Sequence, residues 1–309
     1  MLYFVYTPVK LPMTPYDFTV HQGSGLKTVA RQLAADGVLP EGETFWILGR
    51  MAGKGRSIQA GTYRLERPMT PLEIIDKLAR GDVMFAEMRF VEGTTLSQWL
   101  AQLAAQPLVK QTLAGKTGAE IRALLGNGSE PLEGWLFPDT YRFAPGAADL
   151  DILKRAHAAM KKRVADAWEA RDASVPLKTP YEALILASIV EKETGQASER
   201  PMIASVFANR MQRGMRLQTD PTVIYGMGER YDGNIRKRDL TTDSPWNTYT
   251  RDGLPPTPIA MPGAASLKAA LHPAQSNYLY FVARGDGSHE FTRSLEEHNR
   301  AVAKYQLGK

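Results

Sequence analysis

The chain has 309 residues, about two domains' worth at roughly 150 residues each, with 43% hydrophobic and 23% charged side chains, an ordinary globular balance. It contains no cysteine, which excludes a disulfide framework, a thiolate zinc site, an iron–sulfur cluster and a cysteine nucleophile. A net charge of +5 favours an anionic partner only mildly, and the runs Lys161-Lys162-Arg163 and Arg236-Lys237-Arg238 fall short of the roughly five or six like charges of a nucleic-acid-binding arm.

No stretch approaches the roughly 18 apolar residues that span a bilayer. The start, Met1-Leu2-Tyr3-Phe4-Val5-Tyr6, is nonetheless apolar and aromatic, then passes through Pro8, Pro12 and Pro15 into polar sequence. It reads either as the trailing end of a membrane span, since aromatics gather at membrane interfaces, or as a docked or disordered tail. A weak internal repeat follows. Val20-His21-Gln22-Gly23-Ser24-Gly25-Leu26 runs into a helix with apolar residues at Leu26, Val29, Ala30 and Leu33. Glu92-Gly93-Thr94-Thr95-Leu96 runs into Trp99, Leu100 and Leu103, with Gly23 and Gly93 in register. Each copy predicts a short strand (Phe18 and Val20; Phe90), a turn and a helix, and Gly37 closes the first helix. Between the copies, Gly61–Leu65 reads as a strand. Thr70-Pro71-Leu72-Glu73 is a capping box that opens a helix ending at Gly81. Nothing in this α+β module offers catalytic chemistry.

From 106 to 180 the pattern is mainly helical, with Leu153, His157, Met160, Val164 and Trp168 at helical spacing. His157 on that apolar face reads as a satisfied, half-buried histidine rather than a ligand. The segment Glu133–Tyr141 alternates polar residues with large aromatics around Pro138, and suits either the lining of a groove or a packed loop.

The most informative stretch opens at Thr179-Pro180-Tyr181-Glu182, a second capping box. The following Ala183–Val190 carries no charge and is apolar nearly all round, so this helix is expected to be buried on every side. It ends in Glu191-Lys192-Glu193-Thr194-Gly195, with Gly195 as the expected cap. Carboxylates at a helix C-terminus oppose the macrodipole, and desolvation there also disfavours the charged form. Both effects raise the pKa of Glu193, which lies on the stripe of Val190 and Leu186, as a general acid near neutral pH requires. The competing reading makes both glutamates surface residues of a frayed turn, screened by Lys192. At about 100° per residue, Glu191 and Glu193 stand about 200° apart and cannot face each other across one sugar. A two-carboxylate site would need Asp220 or Asp139 as its second member.

A further helix carries Ile203, Val206, Phe207 and Met211, with Ser198 as N-cap and Gly214 as terminator. Asp220 before Pro221 suits an N-cap at least as well as a catalytic role. In the long loop 243–263, Trp246 and Tyr249 offer flat apolar faces and Asn247 and Thr248 polar groups between them. That mixture fits a sugar ring or a packed proline-rich loop. A hairpin, Tyr278–Val282 to Phe291 through Gly285-Asp286-Gly287, and a helix capped by Ser294 with Glu297 close the chain. His289 near the hairpin turn has no partner at metal-ligand spacing. Gly226-Met227-Gly228 and Gly53-Lys54-Gly55 match no nucleotide loop, and neither HExxH nor Gly-x-Ser-x-Gly occurs.

At Glu133–Tyr141, Ala187–Thr194, Ser198–Arg200, Met215–Gly226, Asn247–Tyr249, Gly253–Pro256, Leu267–Ala270 and Tyr278–Val282 the sequence resembles the endolytic murein lytic transglycosylases, the YceG-like proteins. Val20–Leu26 likewise resembles the opening of a LysM module, which in other proteins binds N-acetylglucosamine-containing glycans. The resemblance implies an α+β fold: a small LysM-like glycan-binding module over 15–106, then a larger, mainly helical catalytic domain with a β-hairpin over 107–309. Residues 1–14 would be a tail after the family's membrane helix, which is missing here, consistent with a truncation just before Leu2.

The implied activity is internal cleavage of the MurNAc–GlcNAc bond to give 1,6-anhydro-MurNAc ends, limiting nascent strand length. Glu193 maps to the catalytic residue. Candidate glycan contacts are Glu191, Gln218, Thr219, Asp220, Asn247, Tyr249 and Glu133. No metal, organic cofactor or nucleic acid is implied. Partners are peptidoglycan strands, the membrane through the N-terminal helix and, as candidates, cell-wall synthases. The implied location is the inner membrane, single-pass, with this part in the periplasm. The rival readings are a non-catalytic peptidoglycan-binding scaffold and a hydrolytic muramidase using Glu193 with Asp220.

Overall fold

The structure, a computed structural model, describes residues 2–307, and of residues 2 and 3 only the backbone. Met1 of the aromatic start lies outside the described residues. The chain forms two compact units. The smaller takes residues 1–88 with short returns at 108–110 and 142–147, and the larger takes the rest. The first stretch of the smaller unit thus ends at 88, whereas the sequence reading carries its module to 106. The second copy of the repeat explains the difference. Gly93 N–H donates to the Met261 carbonyl at 2.9 Å, and Met261 N–H donates to the Thr94 carbonyl at 2.8 Å. The two turns are locally alike, with Gly23 at φ 82° and Gly93 at φ 75°, but they serve different cores.

In the smaller unit, helix α1 (Leu2–Tyr6) precedes strand β1 (Tyr16–Val20), α2 (Leu26–Ala35), α3 (Gly42–Met51), β2 (Gly61–Leu65), α4 (Pro71–Arg80) and β3 (Ala86–Arg89). β1 and β2 pair antiparallel, with Phe18 opposite Tyr63. Alternation puts Tyr16, Phe18 and Val20 on the buried face, against Leu26, Val29, Leu33, Phe45, Ile74 and Leu78. The start of the chain is docked: Phe4 and Leu11 pack on this core, and Val9 N–H donates to the Met69 carbonyl at 2.8 Å. The Thr70–Glu73 capping box is complete, and Gly81 closes α4 in the left-handed region.

Helix α3 has no counterpart among the sequence expectations. Its apolar pattern is short, and its fit depends on two glycines seven residues apart on one face. A Cβ on Gly42 would lie 2.9 Å from the Ala30 carbonyl oxygen, and one on Gly49 would lie 2.2 Å from a methyl of buried Leu26.

β3 pairs with β4 (Thr140–Phe143), whose Arg142 and Phe143 belong to the smaller unit. The larger unit contains α5 (Leu96–Ala104), α6 (Gly118–Leu125) and α7 (Asp149–Glu169). There follow α8 (Pro180–Glu193), α9 (Arg200–Gln212), α10 (Asp220–Met227), α11 (Lys237–Thr241), α12 (Ala264–Leu271), β5 (Tyr280–Ala283), β6 (His289–Thr292) and α13 (Leu295–Tyr305). Between 106 and 180 only α6 and α7 are regular helix of any length, so this stretch is less helical than its pattern suggests. His157 behaves as expected, buried with Nε2 2.7 Å from Asn127 Oδ1.

Every residue of α8 from Ala183 to Val190 is buried, against α7, α9 and α12. That is the environment its uncharged sequence demands. The Thr179 hydroxyl accepts from Glu182 N–H, but the Glu182 carboxylate turns to the N–H of Lys178, so the box is only half closed. The helix stops at Thr194 in an extended conformation, not on a left-handed Gly195. Helix α9 likewise starts at Arg200 after a short turn rather than at Ser198, and the N-cap of α10 is Thr219, one residue before Asp220. Among the described residues no helix is long and apolar enough to cross a membrane.

The close approach at Gly42 is to backbone, which cannot move aside cheaply. Gly42→Ala is expected to lower unfolding stability by about 1–3 kcal/mol, read as a lower urea midpoint at unchanged m-value.

Candidate active site

Because α8 is enclosed from Ala183 to Val190, its last residue is delivered at a fixed point, and Glu193 emerges there into a groove of about 390 Å³. The loop before α10 forms one side of that groove. Leu217 is buried, and Gln218 adopts φ 48°, a left-handed conformation uncommon for a residue with a side chain. Gln218 N–H donates to the Thr248 carbonyl (3.2 Å) and Thr219 N–H to Thr248 Oγ1 (3.1 Å). Thr222 Oγ1 completes the set, 2.9 Å from Thr248 Oγ1. Thr219 occupies an N-cap position, yet its hydroxyl caps nothing. It donates instead to Glu193 Oε1. Tyr249 reaches the same groove and donates its phenol to Asp220 Oδ1 at 2.6 Å.

The electrostatics follow from this arrangement. Burial of the Glu193 carboxyl is the main influence and raises its pKa. The Thr219 hydroxyl and the Arg210 guanidinium oppose that shift, and the negative charge of Asp220 adds to it, leaving the group at about 7. Such a carboxyl holds its proton near neutrality and releases it readily, a condition for donating and retrieving one proton. Among the described residues no cluster of histidine, aspartate and glutamate fits a metal ion.

The YceG-like family model matches residues 18–304, nearly the whole sequence. The chain belongs to the YceG-like family. It is 35% identical to the endolytic murein transglycosylase of Bacillus subtilis, over 94% of this chain and 85% of that protein. It is 27% identical to the endolytic murein transglycosylase of Streptococcus pneumoniae strain D39, over 93% of this chain but only 57% of that longer protein. The crystal structure of a YceG-like protein from Listeria monocytogenes superposes with a TM-score of 0.60 at 32% identity, covering 93% of this chain and 98% of that one.

In this YceG-like chain the groove brings together Glu193, Gln218, Thr219, Asp220 and Tyr249, as the sequence reading expects. It does not bring in the other three candidates. The side chain of Glu191, only 5% exposed, accepts from Gly263 N–H at 2.8 Å and from Arg200 at 3.3 Å, and so ties the buried segment before α12 to α8. Asn247, 1% exposed, donates to the carbonyls of Asp239, Leu240 and Thr242 and accepts from Tyr249 N–H. It therefore shapes the loop that presents Tyr249. Glu133 is buried, accepting from Leu96 N–H at 3.0 Å and from the Tyr225 hydroxyl at 3.1 Å. Burial pushes its carboxyl up to about 7, against those hydrogen bonds. Asp139, the other proposed second carboxylate, is exposed, accepts from Thr140 N–H and does not line the groove.

Arg210, Tyr280, His289 and His298 also line the groove, and none of them is among the candidate site residues; the sequence reading takes His289 and Tyr280 only as parts of the hairpin. Arg210 carried a signal: it falls four and three residues after Val206 and Phe207, a charge on the buried stripe of α9.

Glu193 and Glu133 bind protons more tightly folded than unfolded. Their contribution to stability is full below the ordinary glutamate range near 4.5 and is lost as pH rises to about 7. Unfolding free energy is expected to fall across that window, and Glu133→Gln to flatten the fall, as measured by urea titration at pH 5 and pH 8.

Proposed function

We propose that this protein is an endolytic peptidoglycan lytic transglycosylase with Glu193 as its acid and base. The observation that carries the assignment is the enclosed, proton-holding carboxyl of Glu193 in a groove also lined by Gln218, Asp220 and Tyr249. Support comes from membership of the YceG-like family and from two relatives named for this activity.

Protonated Glu193 donates to the glycosidic oxygen between MurNAc and GlcNAc. The bond to C1 breaks through an oxocarbenium-like state, and GlcNAc leaves as the alcohol. The carboxylate then takes the proton of the MurNAc C6 hydroxyl, whose oxygen closes onto C1 as the 1,6-anhydro ring. Because the nucleophile belongs to the substrate, no second carboxylate has to activate water, unlike the usual glycosidase pair. Thr219 fixes the acid's orientation, while Gln218, Asp220 and Tyr249 contact the glycan.

The presence of Asp220 beside Glu193 in the groove lining is what favours a muramidase as the second reading. The LysM-like reading of the smaller unit is supported by the exposed turn His21–Gly25 between β1 and α2, the segment that carries the resemblance. An inner-membrane anchor, a periplasmic location, limitation of strand length and a synthase partnership belong to the same proposal. Their support is the resemblance and the position of murein outside that membrane.

Digestion of purified murein and weighing of the fragments tests the function. Anhydro ends are expected, reducing ends would mean hydrolysis, and intact glycan would mean a scaffold. Glu193→Gln is expected to abolish product with the fold intact, and persistent activity would move the acid elsewhere. The pH–rate profile is expected to decline above about 7 as Glu193 ionises. Thr219→Val removes a bond to the charged form and is expected to move that decline upward by about one pH unit.

A further inference from the structure

Besides Glu193 and the loop before α10, residues of α9, the hairpin and α13 line the groove, and they carry a different chemistry. Arg210 is 7% exposed, yet no carboxylate pairs with it among the described residues. Its Nε donates to the Leu279 carbonyl at 2.6 Å, and its Nη1 donates to those of Arg216 (3.2 Å) and Leu217 (2.7 Å). These three bonds fix the guanidinium plane and leave Nη2 without a hydrogen-bond partner among the described residues, in a residue that lines the groove. The Tyr280 ring lies against it, with the guanidinium carbon 5.0 Å from the ring centroid. The same ring stacks on His298 at 5.2 Å and 26°. His298 also lines the groove, and its Nδ1 is buried with no hydrogen-bond partner.

A buried guanidinium with no carboxylate in ion-pair contact among the described residues is costly, and neutral carbonyls relieve only part of that cost. Its open edge is held by those three bonds in a residue that lines the groove. Arginine held in this way recognises carboxylates through directional donors, which a mobile surface lysine does not.

We propose that Arg210, backed by Tyr280 and His298, forms an anion-recognition subsite that takes a carboxylate of the murein strand. The source is either the free lactyl group of MurNAc or the peptide carried on it. This inference rests on the glycan-cleaving function argued above and deepens it: the groove reads a charged substituent as well as the sugar backbone. Chitin-like glycans, which offer no carboxylate, would be discriminated against.

The test uses the full chain carrying Glu193→Gln, so that ligands bind without turnover. Three GlcNAc–MurNAc tetrasaccharides are titrated by calorimetry: one with free lactyl carboxylates, one with neutral lactyl carboxamides, and one bearing an amide-linked acidic dipeptide. At least one charged form is expected to bind about tenfold or more tightly than the neutral form, the scale of a hydrogen bond to an ionised partner. Which charged form gains identifies the source of the carboxylate. Adding Arg210→Gln is expected to remove that preference, so that the charged and neutral tetrasaccharides bind this variant alike. Should this variant fail to fold, the ligand comparison in the Glu193→Gln chain decides alone. Equal binding of charged and neutral forms overturns the subsite and leaves the glycan reading standing. Binding of none of the three overturns both.

Discussion

The constraint on which the site depends is the complete burial of α8 from Ala183 to Val190. Eight consecutive uncharged residues pack on all sides, so the helix can neither rotate nor slide without exposing apolar surface, at roughly 25 cal/mol per Å². Its C-terminal turn is therefore held in place by the core. The two glutamates of that turn, on opposite faces, meet opposite environments. Glu191 finds Arg200 and the N–H of Gly263 and serves the architecture. Glu193 finds one threonine hydroxyl in enclosed surroundings, and desolvation keeps its proton on. Two residues of the same type thus acquire different chemistry through a rotation of about 200° around one helix axis.

Where the sequence was legible, the signal was local. The uncharged run of α8, the capping residues at Thr70, Thr179 and Ser294, and the glycine turns at Gly23 and Gly93 all depend on neighbours a few positions away. What was illegible depends on distant partners. Arg210 is held by a carbonyl 69 residues on, and Glu133 by a tyrosine 92 residues on. No spacing rule reaches that far. The module drawn to 106 and the first compact stretch ending at 88 differ for a related reason. The repeat correctly announces a turn and a helix at Gly93, but a local pattern does not say which core the helix joins. The bonds to Met261 decide that.

The loop between α11 and α12 shows how one composition can serve two ends. Trp246 and Tyr249 are equally suited to a sugar face by residue type. Trp246 donates its indole N–H to Thr257 Oγ1 at 2.9 Å and sets its ring edge-on to Tyr225, so its large apolar area goes into packing. Tyr249, three residues on, is turned into the groove by the bond from its own N–H to the buried Asn247. Asn247 thus matters to the groove without touching it.

Around Glu193 the charges are arranged in opposition. Asp220 disfavours ionisation, Arg210 favours it, and the Thr219 hydroxyl stabilises the carboxylate once it forms. A single group that must give a proton and then take one back needs neither form to dominate. An acid held well above neutrality would donate poorly, and one at the ordinary glutamate value would already be ionised. Burial supplies most of the upward push and Asp220 adds to it, while Thr219 and Arg210 trim it to about 7. Enclosure by α8 and the Gln218–Asp220 loop is therefore the source of the reactivity, and the neighbours adjust where on the pH scale that reactivity falls.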